Sequence, residues 1–160
     1  METPPSLGST EIAGRSKSPS SSRSAELERV ANRWLLALRT ALLPLDLTHA
    51  QCRLLITAAW LGSRKAGIRQ SDIAAVAGTD PVMTSEVLRT LEARGLVTRV
   101  AHPTDGRAKA IAVTDSGAKL ADWAHSLVAK AEAEFFSVGM TEFGPLAKAL
   151  KKGGRGAENG

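Results

Sequence analysis

Between Val82 and Lys109 the chain gathers side chains suited to holding anions and to hydrogen-bonding flat polar edges. At helical spacing Val82, Glu86 and Arg89 share one outward arc, flanked by Ser85 and Thr90. Thr84, Val87, Leu88 and Leu91 share the opposite, largely apolar arc. Further on, Arg107 and Lys109 alternate beside Asp105-Gly106, which sets two cations on one face of a strand next to a turn. A guanidinium offers five donors in a planar fork and an ammonium three, so these groups suit recognition of anions rather than bond making. Each feature also has an ordinary explanation, because most helix exteriors and surface cations are simply hydrated.

Other chemistries lack their parts. The sequence holds no Gly-rich phosphate loop, no nucleophile elbow and no set of nucleophile, base and orienting group, so no enzyme is expected. His49, His102 and His125 are far apart and Cys52 is the single cysteine, which argues against a metal site, a disulfide framework or a bound cofactor. Cys52 falls early in a helical stretch among apolar residues, where a thiol is ordinarily an inert packing group. Trp34, Trp60 and Trp123 fall at helical core spacing and are expected to pack inside.

The 160 residues carry 21 Lys plus Arg against 16 Asp plus Glu, a formal charge of +5. Most of that excess lies near the ends, since residues 25–147 hold 14 basic and 13 acidic side chains. Charge alone therefore permits a nucleic-acid partner without requiring one. Hydrophobic residues at 43% suffice for one packed domain. No stretch approaches the roughly 18 apolar residues of a membrane span, and no apolar leader segment is visible, so a soluble cytoplasmic protein with no membrane partner is expected.

Residues 1–24 hold eight serines and three prolines and read as a disordered N-terminal arm, and residues 153–160 read as a disordered tail. Between them, Leu27, Val30, Ala31, Trp34, Leu35, Leu38 and Leu42 trace a first helix that Pro44 ends. Thr48 starts a second helix through Leu54, Leu55, Ala58, Ala59 and Leu61. A short third helix covers Gln70 to Ala77, with Gly78 as its left-handed terminus. Asp80-Pro81 opens a fourth, which stops at Gly95. Leu96–Ala101 and Arg107–Val113 read as strands joined through an Asp105-Gly106 turn. Thr114 caps a long fifth helix carrying Leu120, Trp123, Ala124, Leu127, Val128 and Ala131, and a last helix begins at Thr141. The expected class is mainly α with a small β-hairpin wing, a winged helix-turn-helix plus a helical dimerisation region. The fourth helix then lies in a major groove, about 12 Å wide, or is merely solvated, and spacing alone does not choose. A projecting hairpin with Arg at its tip favours the first, because such a tip reaches the adjacent minor groove.

Residues about 48–120 resemble the MarR family of bacterial transcription regulators. The resemblance rests on Ser71-Asp-Ile-Ala74, on Met83-Thr-Ser-Glu-Val-Leu-Arg-Thr-Leu-Glu-Ala-Arg-Gly-Leu-Val97, on Asp105-Gly-Arg107 and on Val113-Thr-Asp-Ser-Gly117, four motifs in order. It implies a homodimer that binds a pseudo-palindromic operator in double-stranded DNA, acts as a repressor and is released by a small aromatic or anionic ligand. It also implies the division into a DNA-binding domain at residues 47–114 and a dimerisation region at 25–46 and 115–152. Under that reading Ser85, Glu86 and Arg89 face base edges or phosphates, and Arg107 enters the minor groove with Asp105 orienting it. The expected DNA-facing set is completed by Arg69, Ser71, Thr79, Val82, Thr90 and Lys109. Glu86 departs from the family pattern, since phosphates repel a carboxylate although cytosine N4 can donate to one. Ala108 stands where a serine often follows the wing arginine. Trp34, Leu38, His49 and Arg53 are expected to border the effector cleft, with Arg53 pairing a ligand carboxylate. Two rivals stand beside this reading. One is a winged-helix module for protein–protein assembly, favoured by Glu86 and the nearly neutral centre of the chain. The other is a low-specificity DNA-coating protein driven by its basic ends.

Overall fold

The computed structural model describes residues 22–137, so the expected helix from Thr141, the tail and nearly all of the arm fall outside the described residues. Two compact units divide the chain after Leu36. In the first, helix α1 (Arg23–Leu42) begins a few residues before the apolar stripe that announces it. Along this part of α1 Leu27, Leu35 and Leu36 are exposed, and Val30 and Trp34 are half-buried.

The second unit takes over at Ala37, and its local signals fix where each element starts and stops. A 3-10 turn at Leu43–Leu45 with Pro44 in its first turn ends α1, and Asp46 takes the left-handed conformation at φ 50°. Thr48 caps α2 (His49–Gly62) through a reciprocal box, its side chain accepting from Gln51 N–H while the Gln51 side chain accepts from Thr48 N–H. Helix α3 (Gln70–Ala77) ends at Gly78, whose φ of 62° suits glycine, and Thr79 N–H reaches back to the Ala74 carbonyl. The Asp80 carboxylate caps α4 (Pro81–Ala93) by accepting from Val82 and Met83 N–H. Strands β1 (Val97–His102) and β2 (Asp105–Val113) form an antiparallel hairpin, and α5 (Asp115–Ser137) follows it. Thr114 caps α5 by accepting from Gly117 N–H.

The core of this unit lies where α2 is covered by α3, α4, α5 and the base of the hairpin. Leu42, Leu54, Leu55, Ile73, Leu88 and Leu91 are its fully buried large residues. At roughly 25 cal/mol per Å² of apolar surface, a cluster of this kind supplies the main force holding this unit together. Small residues let α5 approach closely. A Cβ on Gly117 would lie 1.9 Å from the Leu96 carbonyl oxygen, so only glycine fits where α5 meets the hairpin base.

Two expectations need correction. Trp60 and Trp123 are 47% and 55% exposed rather than in the core. The buried stripe of α5 runs through Gly117, Ala121, Ala124 and Ala131, which leaves Trp123 off it. Trp60 likewise falls off the buried side of α2, and the Arg64 guanidinium stacks 4.0 Å from its ring centre. The hairpin turn is also displaced. His102 faces Asp105, so Pro103-Thr104 makes the turn and Asp105-Gly106 already belongs to β2. Pro103 fits a turn because its ring presets φ, and the His102 ring nitrogen Nδ1 accepts from Thr104 N–H.

Candidate nucleic-acid interface

The outward surface of α4 follows from the burial of its other side. Thr84, Leu88 and Leu91 are buried and Val87 is half-buried, which forces Val82, Glu86, Arg89 and Thr90 outward, with Ser85 at the margin. Val82 is 67% exposed, unusual for a β-branched residue in the first turn of a helix. Glu86 and Arg89 form no ion pair or side-chain hydrogen bond with any described residue. The Thr90 hydroxyl is engaged locally, donating to the Glu86 carbonyl.

The turn before α4 is locked from inside. Thr84 is fully buried, and its hydroxyl donates to the Asp80 carbonyl at 2.7 Å. That leaves Thr79 to donate to Thr84 Oγ1 at 2.8 Å, so Thr79 faces the turn with its oxygen already partnered. Gln70, Ser71, Ala74, Ala75, Gly78, Thr79 and Pro81 line a shallow concavity of about 470 Å³ between α3 and α4, with Ser71 exposed on its rim. At the far end of α4, Arg94 Nη1 donates to the Asp46 carbonyl at 2.6 Å and fastens the helix to the 3-10 turn.

The wing carries its cations on an irregular ribbon. Partners run in register from Val97 opposite Val113 to Ala101 opposite Lys109, after which the register shifts so that His102 meets Asp105. Gly106, Arg107 and Ala108 therefore have no residue opposite them, and Arg107 sits at the middle of the bulge. Bulges re-aim side chains, and the exposed Arg107 and Lys109 form no ion pair with any described residue.

Arg69 and Asp105, both expected to face DNA, meet each other. Arg69 Nη2 lies 3.1 Å from Asp105 Oδ2, while Asp105 Oδ1 accepts from Arg107 N–H at 3.2 Å. One carboxylate thus ties the start of α3 to the segment that holds Arg107. Beside it Ile111 N–H donates to the Ile68 carbonyl, adding a bridge between the α2–α3 connection and β2. Gly67 lies under the wing tip with φ 67°, and a Cβ there would come within 2.8 Å of the Pro103 ring. At the head of α3, Asp72 accepts from Lys65 Nζ and Arg69 N–H, which holds its carboxyl below the usual range, the lysine bond first and the backbone bond second. Sequence spacing gives no sign of these pairs, because their partners are up to 36 residues apart.

The residues expected at an effector cleft divide. Trp34 belongs to the first unit and Leu38, His49 and Arg53 to the second. Leu38 is buried and Arg53 exposed, its guanidinium extending toward Gly78 at the end of α3. Burial, and then the nearby Arg53 charge, push the His49 pKa below its ordinary value, which keeps the ring neutral at neutral pH. Cys52 is buried in the core, and burial pushes its thiol up to about 11. Among the described residues no group of three or more His, Cys, Asp or Glu side chains is placed to hold a metal ion. No described helix is long and apolar enough to cross a membrane.

The MarR family model matches residues 47–109, from the α2 cap to the wing. A Bacillus subtilis (strain 168) relative, the uncharacterized HTH-type transcriptional regulator YdcH, is 30% identical over 122 residues, 76% of this chain and 83% of the relative. The crystal structure of CouR from Rhodococcus jostii RHA1 bound to p-coumaroyl-CoA is similar, with TM-score 0.69 and 31% identity over 85% of this chain and 94% of that one. The transcriptional repressor CouR bound to a 23-mer DNA duplex follows with TM-score 0.68 and 27% identity, over 83% of this chain and 92% of that one. The elements described above are the winged helix of these structures, and the relatives are regulators rather than enzymes. The chain belongs to the MarR family of transcriptional regulators.

Proposed function

We propose that this regulator is a homodimeric repressor that grips a pseudo-palindromic operator, α4 in the major groove and the wing tip in the flanking minor groove. The observation that carries the reading is the bulge at Gly106–Ala108, which presents an exposed Arg107, in no ion pair among the described residues, near the end of a ribbon pinned to α3. A narrow minor groove concentrates negative potential and attracts such a guanidinium. The likeness to a DNA-bound CouR supports the same placement.

In this arrangement Val82, Ser85, Glu86 and Arg89 face base edges and Ser71, Thr90 and Lys109 lie toward the phosphates, while Thr79, its hydroxyl given to Thr84, braces the turn. Asp105 and Arg69 hold the wing against α3, and the outer edge of the Arg69 guanidinium, half exposed, approaches the backbone. Residues 47–114 form the DNA-binding domain, and residues 25–46 and 115–152 pair with a second copy. Exposed Leu27, Leu35 and Leu36 on α1 and Trp123 on α5 supply apolar surface for that pairing. A two-fold dimer then sets half-sites about 10–10.5 bp apart. Release follows when a small aromatic or anionic ligand stabilises a dimer whose heads no longer match successive grooves. Arg53 supplies the charge for such a ligand, since the neighbouring His49 is neutral, and the structure of CouR with p-coumaroyl-CoA, an aromatic acyl group on an anionic carrier, supports an aromatic or anionic effector class.

The test is a salt-titrated binding assay on DNA from upstream of the chain's own coding region. Arg107→Ala is expected to weaken binding about tenfold and to flatten the salt dependence. Wild-type affinity in Arg107→Ala and Arg89→Ala alike would overturn the placement, and a monomer at micromolar concentration in light scattering would overturn the dimer.

A further inference from the structure

We infer that Val82 and Glu86 are specificity-determining residues that select a thymine and a cytosine, one to two base steps apart, in each half-site. The inference rests on the operator-binding reading above and adds to it the bases read by this chain's own α4. Its first support is the free carboxylate of Glu86. It stands exposed on a surface that meets a polyanion, yet no described cation neutralises it, although other carboxylates in this unit find partners: Asp72 with Lys65, Glu92 with Arg99 and Asp105 with Arg69. Phosphates repel it, so contact is favourable only where the groove offers a donor.

The major-groove edges narrow the choice. Guanine presents only acceptors, thymine an acceptor and a methyl group, and adenine a donor beside the N7 acceptor. Cytosine alone presents a donor without an acceptor on the same base, which suits a carboxylate. Arg89, three residues on and likewise without an ion pair among the described residues, lies on the same arc with a fork suited to O6 and N7 of guanine. The second support is Val82, 67% exposed one turn before Glu86 and left largely uncovered by the described residues. A thymine methyl is the apolar group a major groove offers. Residues four apart on a helix are separated by about 6 Å along its axis, which spans one to two base steps. The third support removes a competing use of this end of α4. Val82 and Met83 N–H are both taken by Asp80 Oδ1, so the helix terminus keeps them from a phosphate and recognition falls to the side chains.

Enrichment of a randomised duplex library by the full chain, repeated with Glu86→Gln and Val82→Ala, tests the assignment. Wild type is expected to fix a cytosine at one half-site position about tenfold over other bases, and Glu86→Gln to shift that position to adenine, whose N6 and N7 match an amide. Replacing the selected thymine by deoxyuridine, which removes only the methyl, is expected to weaken wild type several-fold and Val82→Ala hardly at all. Both side chains are exposed, and unchanged helicity by circular dichroism confirms that each variant folds. An operator enriched identically by wild type and Glu86→Gln, or a deoxyuridine effect unchanged in Val82→Ala, overturns this assignment and leaves operator binding standing. A library from which no sequence is enriched by any of the three proteins overturns the operator reading as well.

Discussion

The helix-turn-helix and the wing sit side by side but are held by different forces. The α3–α4 turn is fixed from within: Thr84, Leu88 and Leu91 are buried, the Asp80 cap is complete, and Gly78 takes the one conformation that closes α3. The wing tip hangs on weaker attachments, an ion pair between side chains 50% and 42% exposed and a glycine beneath the proline of its turn, and the buried backbone bridge at Ile68 holds only the base of the ribbon. Buried apolar contacts are worth several times an exposed ion pair. Helix α4 is therefore coupled to global stability, whereas the wing can be disturbed with the rest of the unit still folded.

Substitutions should separate the two. Leu88→Ala is expected to cost about 2–5 kcal/mol in urea unfolding, by far the largest effect, since it opens a cavity beneath α4. A loss under about 1 kcal/mol would mean that α4 is held less firmly than its burial implies. Gly117→Ala comes next, because its methyl meets backbone that cannot move without shifting α5 or β1. Thr84→Val keeps the shape and removes the hydroxyl, with an expected loss of about 1 kcal/mol. Asp105→Asn is expected to leave unfolding within about 0.5 kcal/mol of wild type while weakening DNA binding several-fold. A large stability loss there would erase the contrast. The smallest effect concerns pH. The His49 pKa lies below its ordinary value in the folded chain, so the unfolded chain binds more protons just below 6.5. Stability should be full above that point and fall as pH drops through the window beneath it. His49→Gln should flatten the urea midpoint between pH 7.5 and 5.5.

The same contrast governs what the sequence makes readable. Thr48, Gly78, Asp80-Pro81 and Thr114 mark helix ends through bonds to neighbours a few residues away, and all four act as expected. The inner arc of α4 is legible because its period reports the side facing the core. Trp60 and Trp123 mislead because periodicity places a residue on a helix but does not say how wide the buried stripe is. The wing was legible as a hairpin and not in its register. Asp-Gly is a strong turn signal, yet Pro103 wins the turn, and the three-residue bulge that follows lies beside the Arg69–Asp105 pair, with the Ile68 bridge further down the ribbon. Those attachments arise from tertiary proximity, which leaves no local mark.

The core thiol has a practical consequence. With its proton held to about 11 and its sulfur sealed between α2 and its neighbours, Cys52 meets an alkylating reagent only during excursions that part the helices. As the sole cysteine of the chain, it provides a built-in stopwatch. Its modification rate, compared with that of a free thiol, reports how often this unit breathes, and whether a bound duplex slows that breathing.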